Sequence, residues 1–467
     1  MSNPVDAIPK ISQTVLSQFQ AEKQSNTYSG VEYKQVKATN PDSPGALGSE
    51  WNHNFGMSKN TYLDRSKCYF SVTYKTLSYG DGTETMNMLT GIATGGPNDG
   101  FAPAPFYAGQ FDQVRLSIGD VTVYENNKPG KKQMVNAMID GNSLDARKHW
   151  GIAPYDGSGE TPLDTRAVDS SADPMLNNRF QRLIATKTIL VPVKDVIPSW
   201  ASPEPYRREG IHQMYARFMT TDTFFLRPAT YTTQVLDYEI KLVLCEVKLS
   251  EVAKKAMLKY ETHSVIDPNH DESTGLPPAM IVIPGKPIID GYNDVDIVTQ
   301  EIKTGDADVT FSRQGKNVQK VALWLQDAPF ATTYIASGES YITNLVSASA
   351  ISGVSIDCGD FHFNTGNLLF SSTDRLANSW MLTSSCQNES IIPYIDEQTY
   401  RLFPMLVIDL VKFGFDEKKY LLHGGDGQLH INVRFSAVAG ADVSLICGVV
   451  RSRLDVIEAD GVPRTLA

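Results

Sequence analysis

Residues 236–244 limit what this chain can fold into more than any other segment. Leu236, Tyr238, Ile240, Leu242 and Leu244 fall on one face of an extended chain, and Asp237, Glu239 and Lys241 fall on the other. A period of two marks a β-strand with one packed and one wet face, the habit of antiparallel sheets. A sheet with one apolar face has to bury it against another layer. The same period recurs at 114–124. Val114, Leu116 and Ile118 alternate with Arg115 and Ser117, Gly119-Asp120 supplies a two-residue turn, and Val121 and Val123 resume the alternation. That segment reads as a β-hairpin.

Other runs carry the same character. Tyr69 to Tyr74 is dense in aromatic and β-branched residues, and strand signal begins near Thr61. Leu183–Val193, Val318–Gln326, Tyr341–Leu345, Val354–Phe363 and Met405–Phe413 are further candidate strands. Near the C-terminus, Leu429, Ile431, Val433 and Phe435 alternate with His430, Asn432 and Arg434. Val443, Leu445, Cys447 and Val449 read as their partner strand. Helical signal is sparse: Ile11–Lys23, Gln133–Asp140 stopped by Gly141, a stretch from Ser143 toward Trp150, and one capped by Ser250 through about Thr262. Residues 151–178 read as a long polar loop.

This pattern predicts an all-β protein of two tandem β-sandwiches, with short helices in the loops. The expected division is an N-terminal arm at 1–45, a first sandwich at 46–262 ending in a short helix, a Pro-rich linker at 263–288, and a second sandwich at 289–467. No letter-by-letter repeat is visible, so duplication is inferred from layout alone.

Composition narrows the function classes. Lys plus Arg number 42 and Asp plus Glu 53, a formal net charge of −11, which disfavours a surface built to wrap nucleic acid. The first 30 residues carry no basic cluster and lack the layout of a signal peptide. The best apolar run, Leu402–Val411, is too short for a membrane helix and is broken by Pro404 and Asp409. Cys68, Cys245, Cys358, Cys386 and Cys447 are odd in number and not spaced as metal ligands, so buried reduced thiols are expected.

The search for catalytic motifs finds little. Nucleotide-loop, dinucleotide and zinc-helix patterns are absent, and so is a serine elbow. Gly353-Val-Ser-Ile-Asp comes nearest to an elbow, but it lacks the second Gly and reads as a strand around Ser355. Asp267-Pro-Asn-His-Asp-Glu-Ser resembles a calcium loop, yet Glu272 stands where the turn needs Gly and Pro278 where it needs a bidentate Glu. Asp294-Val-Asp296 and Asp306-Ala-Asp308 are paired carboxylates, read as surface pairs. The eight histidines, His53, His149, His212, His263, His270, His362, His423 and His430, are dispersed. Asn388-Glu-Ser390 matches a glycosylation sequon by chance. No catalytic, cofactor or metal residue is assigned, and a structural or binding role is expected.

Several segments, in order, resemble the double jelly-roll (hexon-like) major capsid proteins of adenovirus-like and polinton-like viruses, a group that includes adintoviruses and virophages. They are Asn60–Tyr74, Gly100–Tyr107 with Phe111–Val123, Gln133–Asp140 with Ser143-Leu-Asp, and Leu236–Ser250. In the second half they are Val318–Gln326, Ala331–Phe363, Gly424–Ala437 and Val443–Asp460 with Arg464. The resemblance implies two jelly rolls, and a homotrimer whose six sandwiches make a pseudo-hexagonal tile of an icosahedral shell. It implies neighbouring capsomers and minor capsid or penton proteins as partners, with no cofactor and no direct nucleic-acid contact. It leaves open whether the shell encloses a membrane. Loops 78–110, 151–178 and 364–400 would decorate the tile, and the arm would order on neighbouring subunits. The rival readings are a minor capsid or spike protein, a two-sandwich carbohydrate-binding module, and an enzyme on a sandwich scaffold.

Overall fold

The computed structural model describes residues 28–39, 48–57, 61–79, 84–87, 102–103, 107–140, 188–202, 205–207, 210–218, 225–226, 234–257, 263–266, 280–283, 288–302, 308–315, 317–327, 345–346, 351–366, 375–385, 405–415, 427–435, 443–457 and 463–466. In chain order the first half contains β1 (Tyr28–Val36), β2 (Glu50–Phe55), β3 (Tyr62–Asp64), β4 (Tyr69–Tyr79), β5 (Glu84–Asn87), β6 (Ala102–Pro103), β7 (Phe111–Ile118) and β8 (Val121–Asn126). Helix α1 (Pro129–Asp140) follows, then β9 (Thr188–Pro192), the short α2 (Val193–Val196), a 3-10 turn (Pro198–Ala201), β10 (Pro205–Tyr206), β11 (His212–Phe218), β12 (Phe225–Leu226), β13 (Gln234–Leu249) and α3 (Glu251–Met257). A hairpin of β14 (His263–Ile266) and β15 (Met280–Ile283) comes next. The second half contains β16 (Ile288–Ile302), β17 (Asp308–Gln314), β18 (Val318–Asp327), β19 (Leu345–Val346), β20 (Ile351–Cys358), β21 (Phe361–Asn364), α4 (Arg375–Ser385), β22 (Leu406–Asp409), β23 (Gln428–Phe435), β24 (Val443–Ile457) and β25 (Pro463–Leu466).

Each half is a pair of facing antiparallel sheets. In the first, β13 lies between β1 and β4, with β3, β5, β9 and β10 in the same sheet, and β2-β11-β7-β8 forms the opposing sheet. In the second, β24 lies between β16 and β18, with β19, β22 and β25 alongside, and β17-β23-β20-β21 opposes it. The two layouts share one strand order: β1 corresponds to β16, β13 to β24, β4 to β18, β9 to β22, and β2-β11-β7-β8 to β17-β23-β20-β21. Both β7–β8 and β20–β21 turn on Gly-Asp, with Gly119 at φ 56° and Gly359 at φ 57°. A positive φ at the first central residue of a two-residue hairpin is what glycine supplies there. A helix follows each hairpin, α1 in the first half and α4 in the second.

The strongest alternation forms the centre of the first sandwich. Tyr238, Ile240, Leu242 and Leu244 are buried, while Glu239 and Lys241 on the other face stay partly exposed and pair with each other at 3.1 Å. Tyr238 stacks on Phe218 of the opposing sheet, and His53 Nε2 meets the Ile240 carbonyl at 3.1 Å. The serine cap forms as expected, with Ala253 N–H donating to Ser250 Oγ at 3.3 Å. The hairpin 114–124 also forms around its Gly-Asp turn, but a bulge between Leu116 and Ser117 shifts the register, so Tyr124 and Asn126 of β8 are buried and Val121 is exposed.

Several expectations need correction. Strand begins well before Thr61: β1 falls inside the expected arm and β2 starts at Glu50. β1 is an edge strand held by its backbone ladder to β13, and Val31 to Gln35 are all exposed, so it carries no core alternation. The expected linker 263–288 holds the β14–β15 hairpin. Val354–Phe363 is two strands around a turn, and Met405–Phe413 is the four-residue β22 followed by turns. The C-terminal runs do not pair with each other: β23 pairs with β17 and β20, and β24 with β16 and β18. They lie in opposite sheets and meet through side chains, as Ile431, Val433, Leu445 and Cys447 share one core. Helix α1 starts four residues earlier than expected, with Pro129 at its first position, where a missing N–H costs nothing. The segments Ile11–Lys23, 143–150 and 151–178 lie outside the described residues.

Candidate functional site

In the sheet containing β16, β18, β22 and β24, the stretches 321–325 of β18, 406–409 of β22 and 445–450 of β24 are buried on both faces. Along β18, Val321, Leu323 and Leu325 enter the core of the second sandwich, whereas Ala322 and Trp324 join the core shared with the first. On β22, Leu406 and Ile408 point one way and Val407 the other. On β24, Leu445, Cys447 and Val449 point inward, while Ile446 and Val450 face the junction. This explains the unbroken apolar run Val321-Ala-Leu-Trp-Leu, since a strand covered on both sides has no reason to alternate. Burying one such side chain is worth about 1.5–3 kcal/mol, so the junction is a strong contact.

Helix α1 and the 3-10 turn at Pro198–Ala201 pack against β16 from the first half, and Tyr124 of β8 reaches it through its side chain. Val135 of α1 is fully buried there. Gly448 makes room for it: a methyl group on Gly448 would lie 3.3 Å from Val135 Cγ2 and 3.3 Å from Val295 Cγ1. Beside this apolar contact sits an ionic cluster. Lys132 Nζ reaches Asp294 Oδ1 at 2.9 Å, and the Tyr124 hydroxyl donates to the same oxygen at 3.0 Å. The Val295 N–H adds a third bond at 2.9 Å. Arg453 Nη2 lies 3.1 Å from Asp294 Oδ2 and 3.2 Å from Asp296 Oδ1, and Arg451 Nε lies 2.6 Å from Asp296 Oδ2. Burial, reinforced by the Asp294 charge, holds the Tyr124 phenol well above its ordinary pKa, so it remains a donor. The cluster joins β8 and α1 of the first half to β16 and β24 of the second.

Asp294 was expected at the surface and is instead buried. Its partner cations come from elements remote in sequence, so the dipeptide spacing could not reveal them. The available signal was two acids inside a long strand-like run, where acidic residues are disfavoured. Lys131 was not singled out by the sequence. It is 4% exposed, and burial, followed by the charge of Lys128, pushes its pKa down to about 7.

The remaining candidate residues do not converge. Ser355 lies on β20 as a strand serine, and Asp308 is exposed on β17. His53 and His212 are buried in the first sandwich, while His362 and His430 are exposed on the second. His430 Nδ1 lies 3.0 Å from Ser312 Oγ, and His362 pairs with Asp357. The His263 side chain, His149, His270, His423, Asp306, residues 267–273 and Asn388 lie outside the described residues. Cys68, Cys245, Cys358 and Cys447 are buried thiols outside any disulfide, and burial raises the pKa of each. Among the described residues no His, Cys, Asp and Glu group is placed to hold a metal, and no helix is long and apolar enough to cross a membrane.

No protein-family model matches the chain, and no curated protein sequence matches it. Solved structures do. The mavirus major capsid protein is similar over 95% of this chain and 91% of its own, with a TM-score of 0.52 at 10% identity. The Faustovirus major capsid protein is similar over 93% of this chain and 91% of its own, with a TM-score of 0.50 at 9% identity. Both likenesses span the two sandwiches and the junction between them, and at such low identity they speak to the fold. With its paired sheets, repeated strand order and shared junction, this chain has the double jelly-roll fold on which those viral major capsid proteins are built.

Proposed function

We propose that the chain is a major capsid protein of a virus, resident in the virion shell and assembled as a homotrimer. Six sandwiches around the three-fold axis would make a pseudo-hexagonal capsomer that tiles an icosahedral shell. Neighbouring capsomers and minor capsid or penton proteins would be its partners. The observation that carries this reading is likeness to two viral major capsid proteins over nearly the full length of each. The rigid junction supports it, because a tile must hold its two sandwiches at one angle. Buried apolar contact and the Asp294 cluster supply that rigidity. The units in this reading are the first sandwich through α3 and the second from β16 onward. The role is structural, without catalysis or cofactor.

Negative-stain electron microscopy of the purified chain at neutral pH tests this. Three-fold particles with a hexagonal outline are expected. Monomers that persist across concentration would overturn it.

A further inference from the structure

The junction inside the chain has a template and a copy. In the template, α1 and the 3-10 turn after β9 dock on the edge strand β16. Val295 and Ile297 of β16 lie opposite Val450 and Gly448 of β24, and Val295 is fully buried there. The strand-for-strand match of the two sandwiches assigns a counterpart to every part of this contact. The counterpart of β16 is β1, paired to β13 as β16 is to β24. Val31 and Tyr33 of β1 lie opposite Val247 and Cys245, on the face of β13 turned away from Tyr238, Ile240 and Leu242. They are 52% and 54% exposed. The counterpart of α1 is α4. Its buried Ser379 and Thr383 face β22, where Thr383 Oγ1 donates to the Met405 carbonyl at 3.1 Å. Met381 is about 200° around the helix from both and is 58% exposed. The counterpart of the 3-10 turn after β9 is the turn after β22, residues 410–415, tied to the end of α4 by Lys412 Nζ donating to the Ser385 carbonyl at 2.8 Å. It carries the exposed Val411, and Phe413, which is 43% exposed with one side of its ring packed on Phe363 of β21 at 4.8 Å.

Of the eight exposed large apolar side chains among the described residues, five lie on these counterparts: Val31, Tyr33, Met381, Val411 and Phe413. Scattered single exposures need no explanation, but concentration on two matched surfaces marks an interaction site. We propose that α4 and the turn 410–415 of one copy dock on the β1 edge of a second copy, repeating between chains the contact that α1 makes on β16 within a chain. This rests on the capsomer reading above and names the surfaces that would build it. The contact is head-to-tail, so each copy offers one donor and one acceptor surface.

Two double variants test it: Val31→Glu with Tyr33→Glu removes the acceptor, and Met381→Glu with Val411→Glu removes the donor. All four positions are exposed, so thermal unfolding of each variant should match the wild type, which controls for folding. Mass photometry reads the assembly state. The expected result is a trimeric wild type, loss of trimer in either variant alone, and heterodimers without trimers when the two are mixed, because one junction survives per mixed pair. Trimers in both variants would overturn the surface assignment and leave the capsomer reading standing, and a mixture that forms no dimer would overturn the head-to-tail pairing. A wild type monomeric at every concentration would overturn the capsomer reading and the inference with it.

Discussion

Replacing Lys131 with methionine should stabilise the protein, and by an amount that depends on pH. Lys131 is 4% exposed on α1, and its pKa falls from 10.5 to about 7. The charged neighbours on its own helix and flank are Lys128, which repels it, and Lys132, which is held by Asp294. On α2, Asp195 accepts from Gln133 Nε2 at 2.8 Å, beside Lys194. On β7 the charged groups are Asp112 and Arg115, and on β16 Asp290, Asp294, Asp296 and Glu301. The folded pKa is the lower one, so folding disfavours the charged ammonium. Below about pH 7 both folded and unfolded chains carry the charge, and the cost of burying it is fully present. Between about pH 7 and 10.5 the unfolded chain keeps a proton that the folded chain has released, and stability rises with pH. At about 1.4 kcal/mol per pH unit the gap is worth roughly 5 kcal/mol. For a unit of about 200 residues this corresponds to a rise in Tm of roughly 10 °C or more. Calorimetry of the wild type and Lys131→Met near pH 6 and near pH 9.5 checks it. The variant should melt higher near pH 6, and the difference should shrink near pH 9.5. A variant that melts lower near pH 6, or a difference independent of pH, refutes the reasoning.

Asp294→Ala leaves Lys132 and Arg453 without their shared carboxylate, and should destabilise the junction by about 3–5 kcal/mol, read as faster proteolysis between the sandwiches. In Gly315→Ala the added methyl would fall 2.5 Å from Cys358 Sγ and 2.9 Å from the Gly427 carbonyl, so calorimetry should show a loss of about 1–3 kcal/mol. Burial lowers the pKa of His53 from 6.5, so the folded chain takes up that proton only at more acid pH than the unfolded chain does. The unfolded chain takes up a proton first as pH drops below 6.5, so stability falls there, and His53→Gln should flatten that part of the acid-unfolding curve relative to the wild type.

How legible the fold was depended on what each strand faces. The middle of β13 alternates because one side meets the core and the other meets water, so period was enough there, and the Gly-Asp turn was enough to place the β7–β8 hairpin, although a bulge that local period cannot show moved the buried face of β8 to Tyr124 and Asn126. β1 was missed because its apolar alternation is only Val31 and Tyr33 against Glu32 and Lys34, too short to mark a strand that is held by its backbone ladder. The partnership of β23 and β24 was misread because both show a core face, and period cannot say whether two faces lie side by side or oppose each other. The junction lay beyond local reading for a similar reason. Asp294 looked like a surface acid, since Lys132 and Arg453 are brought to it from more than 150 residues away on either side.

The sequence by itself determined an all-β chain of two sandwiches, many of its principal strands and turns, the Ser250 cap, and the lack of local catalytic motifs. These depend on period, propensity and neighbours in the chain. Only the tertiary structure decided which sheet covers which, which faces of β18 and β24 meet the first sandwich, and which charges are buried together. Those outcomes depend on contacts between segments far apart in the chain, and nothing in local spacing encodes them.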